Sequence, residues 1–256
     1  MKRPLLFFFI IFFVIIPKLS SAQNETLNYL IFPAPPYMID TGQDEKLSGI
    51  DIDIVREFAL RMNLKITFIR CPWKRCLCLM REGDADILSS AYKKPDREAY
   101  MIYFDTPYLN SLPIAFYTKK GKGSEIETYE DLYRLKSIGT LRGASYFPRF
   151  DRDTKIEKYE VSSQGLLLPM IINGRLDAFA GYVNTVNYRI TAEGYRGMIE
   201  KSEYEYKEKA EVYFAVSKKS PLSKRIYEFN EVNSQLIREG VIPRIIQSYY
   251  QKYRGE

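Results

Sequence analysis

The stretch GIDIDIVREFALRMNLKITFIR, residues 49–70, changes its hydrophobic period partway along. Ile54, Val55, Phe58, Ala59 and Met62 recur every three or four residues, the spacing that gathers side chains into one stripe of an α-helix. From Leu64 onward, Ile66 and Phe68 alternate with Lys65 and Thr67, the period of two that belongs to a strand. Asp51 or Asp53 is placed to cap the helix, and Glu57 and Arg61 are a supporting pair four residues apart. Upstream, Leu27 to Phe32 reads as a strand, and Pro33, Pro35 and Pro36 force an extended turn after it. Downstream, a short helix from Trp73 to about Glu82 closes at Gly83, and Asp86-Ile87-Leu88 is a buried strand. This β-α-β-α-β order predicts an α/β fold with a mostly parallel sheet covered by helices.

A second unit of the same kind follows. Pro113 to Tyr117 is a strand that leaves the first unit, and Lys119 to Gly123 is a polar linker. A new β-α pattern starts at Ser137-Ile138-Gly139 and runs through a helix near Leu166 to Asn173, with Pro169 in an early turn or kinking it, to a strand at Asp177-Ala178-Phe179-Ala180. Glu211 to Ser217 alternates and returns the chain to the first unit. Ser220 caps a long amphipathic helix with Pro221 at its first position and Leu222, Ile226, Phe229, Val232 and Leu236 on its apolar stripe. Gly240 ends it, and a last helix follows Pro243. Two units joined by two strand-like crossings predict two lobes with a cleft between them. The expected division is a first lobe over 23–117, a second over 118–210, and a return to the first over 211–256.

The start of the chain is an address. Lys2 and Arg3 precede an unbroken apolar run from Leu5 to Ile16; Pro17 breaks it, and Ser20-Ser21-Ala22 supplies small residues. This is the order of a secretory signal peptide over residues 1–22, cleaved before Gln23. The run is too short for a spanning helix, which needs about 20 residues, and no Cys stands at the cleavage point for a lipid anchor. A periplasmic location is the expectation.

The net charge is +6, and removing Lys2, Arg3 and Lys18 with the leader leaves +3, too little for a nucleic-acid-binding face. The charged runs at 119–122 and 201–209 read as solvated loops. The chain has no His, which removes the commonest general base and the commonest zinc ligand. Carboxylate and Lys chemistry remain open, but no carboxylate pair stands out. The three cysteines, Cys71, Cys76 and Cys78, share one eight-residue stretch. Export favours a disulfide. Cys71 ends a strand and Cys76 lies in the next helix's first turns, so a bridge between them staples that turn. Cys76 and Cys78 point to different sides of a helix, which leaves Cys78 as a buried free thiol. The rival, a thiolate metal site, lacks a fourth ligand, and no metal or cofactor is expected.

In open α/β sheets ligands sit beyond the carboxyl ends of the strands. The residues expected there are Tyr37 after the first strand, Trp73 after the next, and Ser90, Tyr92 and Arg97 after Leu88. The second unit adds Gly143-Ala144-Ser145 after Ile138, and Gly181 and Tyr182 after Phe179. A guanidinium fork suits a carboxylate. Aromatic faces suit flat or apolar ligand parts, and a turn into a helix at Ser145 offers free backbone N–H groups to an anion.

The ordered set Pro36-Tyr37, Gly49-Ile50-Asp51-Ile52-Asp53, Arg81-Glu82-Gly83-Asp84-Ala85-Asp86, Asp96-Arg97 and Phe104-Asp105-Thr106-Pro107-Tyr108 resembles the family 3 extracellular solute-binding proteins. These are the polar amino-acid receptors of ABC uptake systems. Gly139 to Ser145, Asn173 to Ala178 and Arg238-Glu239-Gly240 extend the resemblance over nearly the whole chain after the leader. It implies a two-lobed fold of the type II periplasmic-binding-protein kind, with the two crossing strands as hinge. It implies that Arg97 binds the ligand α-carboxylate, that Ser90 and Tyr92 contact the ligand, that Trp73 packs on it, and that Ser145 lies at a helix start donating N–H groups. The acidic residue that takes the α-ammonium in amino-acid receptors is replaced here by Tyr182, a neutral phenol. The expected function is capture of a small carboxylate, an amino acid or a relative, for uptake through an inner-membrane ABC permease, by a monomer that is not an enzyme. The alternatives are a periplasmic sensor or partner-docking module of the same fold, or a dehydratase-like enzyme on that scaffold.

Overall fold

The computed structural model describes residues 25–110, 112–207 and 211–253. The leader expected over 1–22 lies outside the described residues. Among them, the strands form two five-stranded sheets, each the core of one lobe.

The first sheet is built from β1 (Thr26–Ile31), α1 (Ile50–Arg61), β2 (Lys65–Arg70), α2 (Trp73–Glu82), β3 (Ile87–Tyr92), α3 (Pro95–Glu98) and the short edge strand β4 (Met101–Tyr103). β1 pairs in parallel with β2 and β3, as the alternating pattern requires. Neither acidic residue caps α1. Gly49 holds the N-cap position at φ 132°, because a Cβ there would lie 2.3 Å from the Tyr37 carbonyl oxygen. Asp51 instead turns fully inward. Arg61 pairs with Glu239 of the last helices rather than with Glu57. The stripe of α1 buries Phe58 among Phe104, Phe214 and Phe229, with ring centroids 5.1–6.4 Å apart; each such ring contributes about 1.5–3 kcal/mol on burial.

The second sheet contains β5 (Ile114–Lys119), β6 (Ile138–Leu141), β7 (Lys158–Val161), β8 (Ala178–Tyr182) and β9 (Ile199–Tyr206). Its helices are α4 (Pro148–Arg152), α5 (Leu167–Ile172) and α6 (Val183–Ala192). β5 pairs only with β8 and β9, so the sequence boundary at 117/118 cuts a strand whose partners all lie in the second sheet. The charged run beginning at Lys201 is no loop as far as Tyr206. It is edge strand β9, which turns Ser202, Tyr204 and Tyr206 inward and leaves charged residues between them, as an edge strand in water can. Pro169 occupies the first turn of α5, where its missing N–H costs nothing.

Strand β10 (Val212–Ser217) returns to the first sheet, followed by α7 (Ile226–Arg238) and α8 (Val241–Tyr253). Ser220 Oγ accepts the Leu222 N–H at 3.0 Å, the cap that the Ser-Pro pair predicts, and a short 3₁₀ turn leads into α7. The sheet orders, β2-β1-β3-β10-β4 and β7-β6-β8-β5-β9, follow one plan. In each, three parallel strands are joined by an antiparallel strand that has just crossed from the other lobe. The crossings meet where the Val212 N–H donates to the Leu109 carbonyl at 2.9 Å. Among the described residues no helix is long and apolar enough to cross a membrane.

Candidate functional site

The carboxyl ends of the parallel strands of both sheets face each other across one cavity. Its volume is about 50 Å³. Tyr37, Trp73, Ser90, Tyr92 and Arg97 reach it from the first lobe, Ser145 and Tyr182 from the second. Phe32, Leu112, Leu141 and Thr185 also line it and were not singled out from sequence. A second, more open space of about 300 Å³ lies beyond Phe32 and Trp73, between Asp40 and Arg70 on one side and Ser162 to Gln164 on the other.

Arg97, in the single-turn helix α3, is 3% exposed. Its guanidinium sits 5.3 Å from the Trp73 ring and donates to the carbonyls of Tyr92 and Gly143 at 3.4 Å each. Two long bonds to neutral carbonyls are little for a buried cation. The geometry therefore suits a fork that takes an external carboxylate. Trp73 packs against Phe32 at 4.7 Å, and its Nε1 donates to the Gly143 carbonyl of the opposite lobe at 2.9 Å. The Cys71–Cys76 disulfide spans the turn that carries Trp73. Cys78 is half-buried rather than buried, because Trp73, Cys76 and Met80 form the inner stripe of α2 and position 78 falls between its turns.

Ser90 lies within β3 rather than after it, in the left-handed region at φ 55°. It is held from behind. Its Oγ donates to Asp51 at 2.7 Å, as does Ser89 Oγ, and the Tyr108 hydroxyl donates to the other Asp51 oxygen at 2.8 Å. Burial pushes the Asp51 carboxyl up to about 6, although all three hydroxyls pull it down. The pattern read Asp51 only as a cap; nothing local marks it as the anchor of the cavity floor.

The opposite wall is aromatic. Tyr182 stacks on Tyr146 at 5.7 Å and lies 6.1 Å from Tyr92. Its hydroxyl donates to the Ser145 carbonyl. Burial raises the Tyr182 and Tyr92 phenols well above their ordinary range, so both stay neutral. The Tyr92 hydroxyl is buried on the cavity wall with no partner of hydrogen-bonding geometry. The anion-binding turn expected at Ser145 is already filled by the chain itself. The Ala144 N–H bonds to Leu141, the Tyr146 N–H and Ser145 Oγ both donate to Asp151, and α4 begins only at Pro148. Lys94 of the first lobe reaches Ser145 Oγ at 3.1 Å.

On the hinge side Asn184, in the first turn of α6, donates to the hydroxyls of Tyr37 and Tyr250 at 3.1 Å each. α6 escaped the sequence pattern, although Val183, Val186 and Ile190 have helical spacing and were the available signal.

Two lobes of one plan closing on a cavity with a buried guanidinium are the setting for the comparisons with known proteins. The model of the bacterial extracellular solute-binding proteins, family 3, matches residues 31–252. The chain belongs to this family. A probable histidine-binding protein of Campylobacter jejuni is 28% identical over 127 residues, 48% of this chain and 49% of that one. The L-cystine-binding protein TcyA of Bacillus subtilis is 24% identical over 216 residues, covering 84% of this chain and 77% of that one. This family 3 protein spans about half the length of the histidine-binding relatives it matches. The structure of an ancestral arginine-binding protein bound to arginine superposes with a TM-score of 0.76 at 18% identity, over 91% of this chain and 99% of that one. At that identity the likeness is one of fold, and it makes this a two-lobed α/β binding-protein fold.

Proposed function

We propose that this family 3 protein is a periplasmic receptor that captures a small carboxylate, an amino acid or a relative of one, between its lobes and delivers it to an ABC-type permease. The observation that carries the proposal is Arg97, a cleft guanidinium 3% exposed whose contacts are carbonyls and an indole face. A carboxylate supplies the charge and the two acceptors that such a fork matches. Trp73 and Tyr182 flank it, and Ser90, Tyr92, Tyr37 and Ser145 complete the contact set. The relatives named for histidine and cystine support uptake of amino-acid-sized solutes. The basic, apolar, small-residue order of residues 1–22 supports export.

We read the protein as a monomer that binds without turnover. The cavity brings together one guanidinium, hydroxyls and aromatic rings, and this set offers no acid–base pair placed on either side of a bond to be broken. A calorimetric screen of the chain from Gln23 against monocarboxylates, dicarboxylates, amines and sugars tests the reading. Heat of binding and a raised melting temperature from a small carboxylate are expected; binding of sugars or simple amines, with no carboxylate bound, overturns it.

A further inference from the structure

We infer that the ligand selected by this cavity is a carboxylate without an α-ammonium group: a hydroxy, keto or simple apolar acid rather than a zwitterionic amino acid. The inference rests on the carboxylate-receptor reading above and narrows it.

A zwitterion brings two opposite charges into the cleft, and the cavity matches one. Its lining contains Arg97 and no Asp or Glu among the described residues. The two carboxylates packed behind the walls are already committed. Asp51 accepts from three hydroxyls beneath Ser90, and Asp151 accepts from Ser145 Oγ and the Tyr146 N–H. Where an acid would be needed, Tyr182 offers a phenol that burial keeps neutral.

Four carbonyls around the cavity are committed too. The Gly143 carbonyl takes Trp73 Nε1 and Arg97, and the Tyr92 carbonyl takes the Tyr103 hydroxyl and Arg97. The Ala34 carbonyl takes the N–H groups of Tyr37 and Met38. The Ser145 carbonyl takes Tyr182. A carbonyl has two lone pairs, so the first three are full. The Trp73 ring, the best cation–π surface present, already carries the Arg97 guanidinium. Lys94 on Ser145 Oγ adds a second cation at the edge. An ammonium here loses its hydration and meets no countercharge.

What the cavity does offer is a phenol, which can bond a neutral oxygen fully but gives an ammonium no countercharge. The Tyr92 side chain lines the cavity wall, and its buried hydroxyl makes no well-formed hydrogen bond beyond a weak interaction with Tyr182. It suits a hydroxy or keto oxygen beside the carboxylate held by Arg97, while the rings of Phe32 and Tyr182 cover the rest.

Isothermal titration with matched pairs that differ in one group tests the inference: L-lactate against L-alanine, phenyllactate against L-phenylalanine, and imidazole-lactate against L-histidine. In each pair that binds, the hydroxy acid is expected to bind at least tenfold more tightly. An amino acid that equals or beats its partner overturns the inference while leaving the receptor reading standing. If no member of any pair binds, the receptor reading itself falls and takes the inference with it. Tyr182→Asp supplies the missing charge and is expected to shift the alanine-to-lactate preference toward alanine by tenfold or more. Thr185→Asp does the same from α6 should the first variant not melt cooperatively. A folded variant with an unchanged preference counts against the inference.

Discussion

The indole Nε1 of Trp73 donates to the main-chain carbonyl of Gly143 across 2.9 Å, and this bond joins the first helix turn after β2 in one lobe to the loop after β6 in the other. Arg97 donates to the same oxygen at 3.4 Å. One carbonyl of the second lobe is therefore bonded by both the aromatic wall and the guanidinium of the first, so lobe closure and the proposed ligand anchor share a point. Trp73→Phe keeps the ring and removes this donor. A net hydrogen bond contributes about 0.5–1.5 kcal/mol, so affinity is expected to fall about two- to tenfold in calorimetry, with the melting temperature of the unliganded chain nearly unchanged.

Arg97→Ala removes the charge proposed to meet the ligand carboxylate. Truncating one partner of a buried charge-assisted pair costs about 2–5 kcal/mol. The expected result is loss of binding by about 30-fold or more, and loss of the ligand-induced rise in melting temperature. Arg97→Lys is expected to recover little, because a point charge cannot reproduce the fork. Binding unchanged in the alanine variant would remove the anchor from the proposed mechanism.

How much of this was legible beforehand depended on whether a feature was local. The period change in residues 49–70 and the breaks at Gly83 and Ser220-Pro221 are local, and the elements they imply are present. All seven site candidates line the same cavity because the carboxyl ends of parallel strands converge by topology. The pairing of Asp51 with Ser89, Ser90 and Tyr108 spans 38 to 57 residues and leaves no mark in a window of ten. β9 was hidden for another reason: its exposed face carries the charges of a solvated loop, and only the alternation of Ser202, Tyr204 and Tyr206 betrays a strand. The turn at Ser145 misled because Asp151, six residues on, fills the site that the turn seemed to offer.

Asp51 gives the fold a pH dependence of defined sign. Its folded value of about 6 lies above that of an unfolded Asp, about 3.9. The folded state thus binds more protons between these values, and this group's contribution to stability is present below about pH 4 and lost as pH rises through 6. The gap between the two values corresponds to about 3 kcal/mol. Urea titrations at pH 4, 5, 6 and 7 are expected to show wild type losing stability relative to Asp51→Asn as pH rises, with the difference flat above pH 7. A difference that does not change over this range would mean that the buried carboxyl titrates normally.

The disulfide constrains a short loop, five residues apart, and loop-closure entropy assigns roughly 2 kcal/mol to it. The paired variant Cys71→Ser with Cys76→Ser is expected to melt about 4–8 °C lower in calorimetry, using about 2–4 °C per kcal/mol for chains of this size. Cys78→Ser in both backgrounds excludes thiol exchange. Because the bridged turn carries Trp73, ligand affinity should weaken as well; a lower melting temperature with unchanged affinity would confine the bridge to stability.

Asn184 is the corresponding contact on the hinge side. Its Nδ2 donates to Tyr37 and Tyr250 of the other lobe at 3.1 Å each, and those two hydroxyls lie 3.0 Å from one another. The two phenols can satisfy each other within the first lobe, so removing the amide leaves them paired and costs that lobe little. What disappears is interaction that exists only when the lobes meet. A change confined to the closed form lowers the closed population and reduces apparent affinity by the same factor. Two bonds of modest net worth give about 1–2 kcal/mol, hence a fall of about 5- to 30-fold for Asn184→Ala. The loss belongs in the dissociation rate, since the encounter of ligand with an open cleft does not involve Asn184. Stopped-flow fluorescence of Trp73, the single tryptophan of the chain, reads that rate directly. Faster release at an unchanged association rate is expected; slower association with unchanged release would place Asn184 on the entry path and not in the closed state.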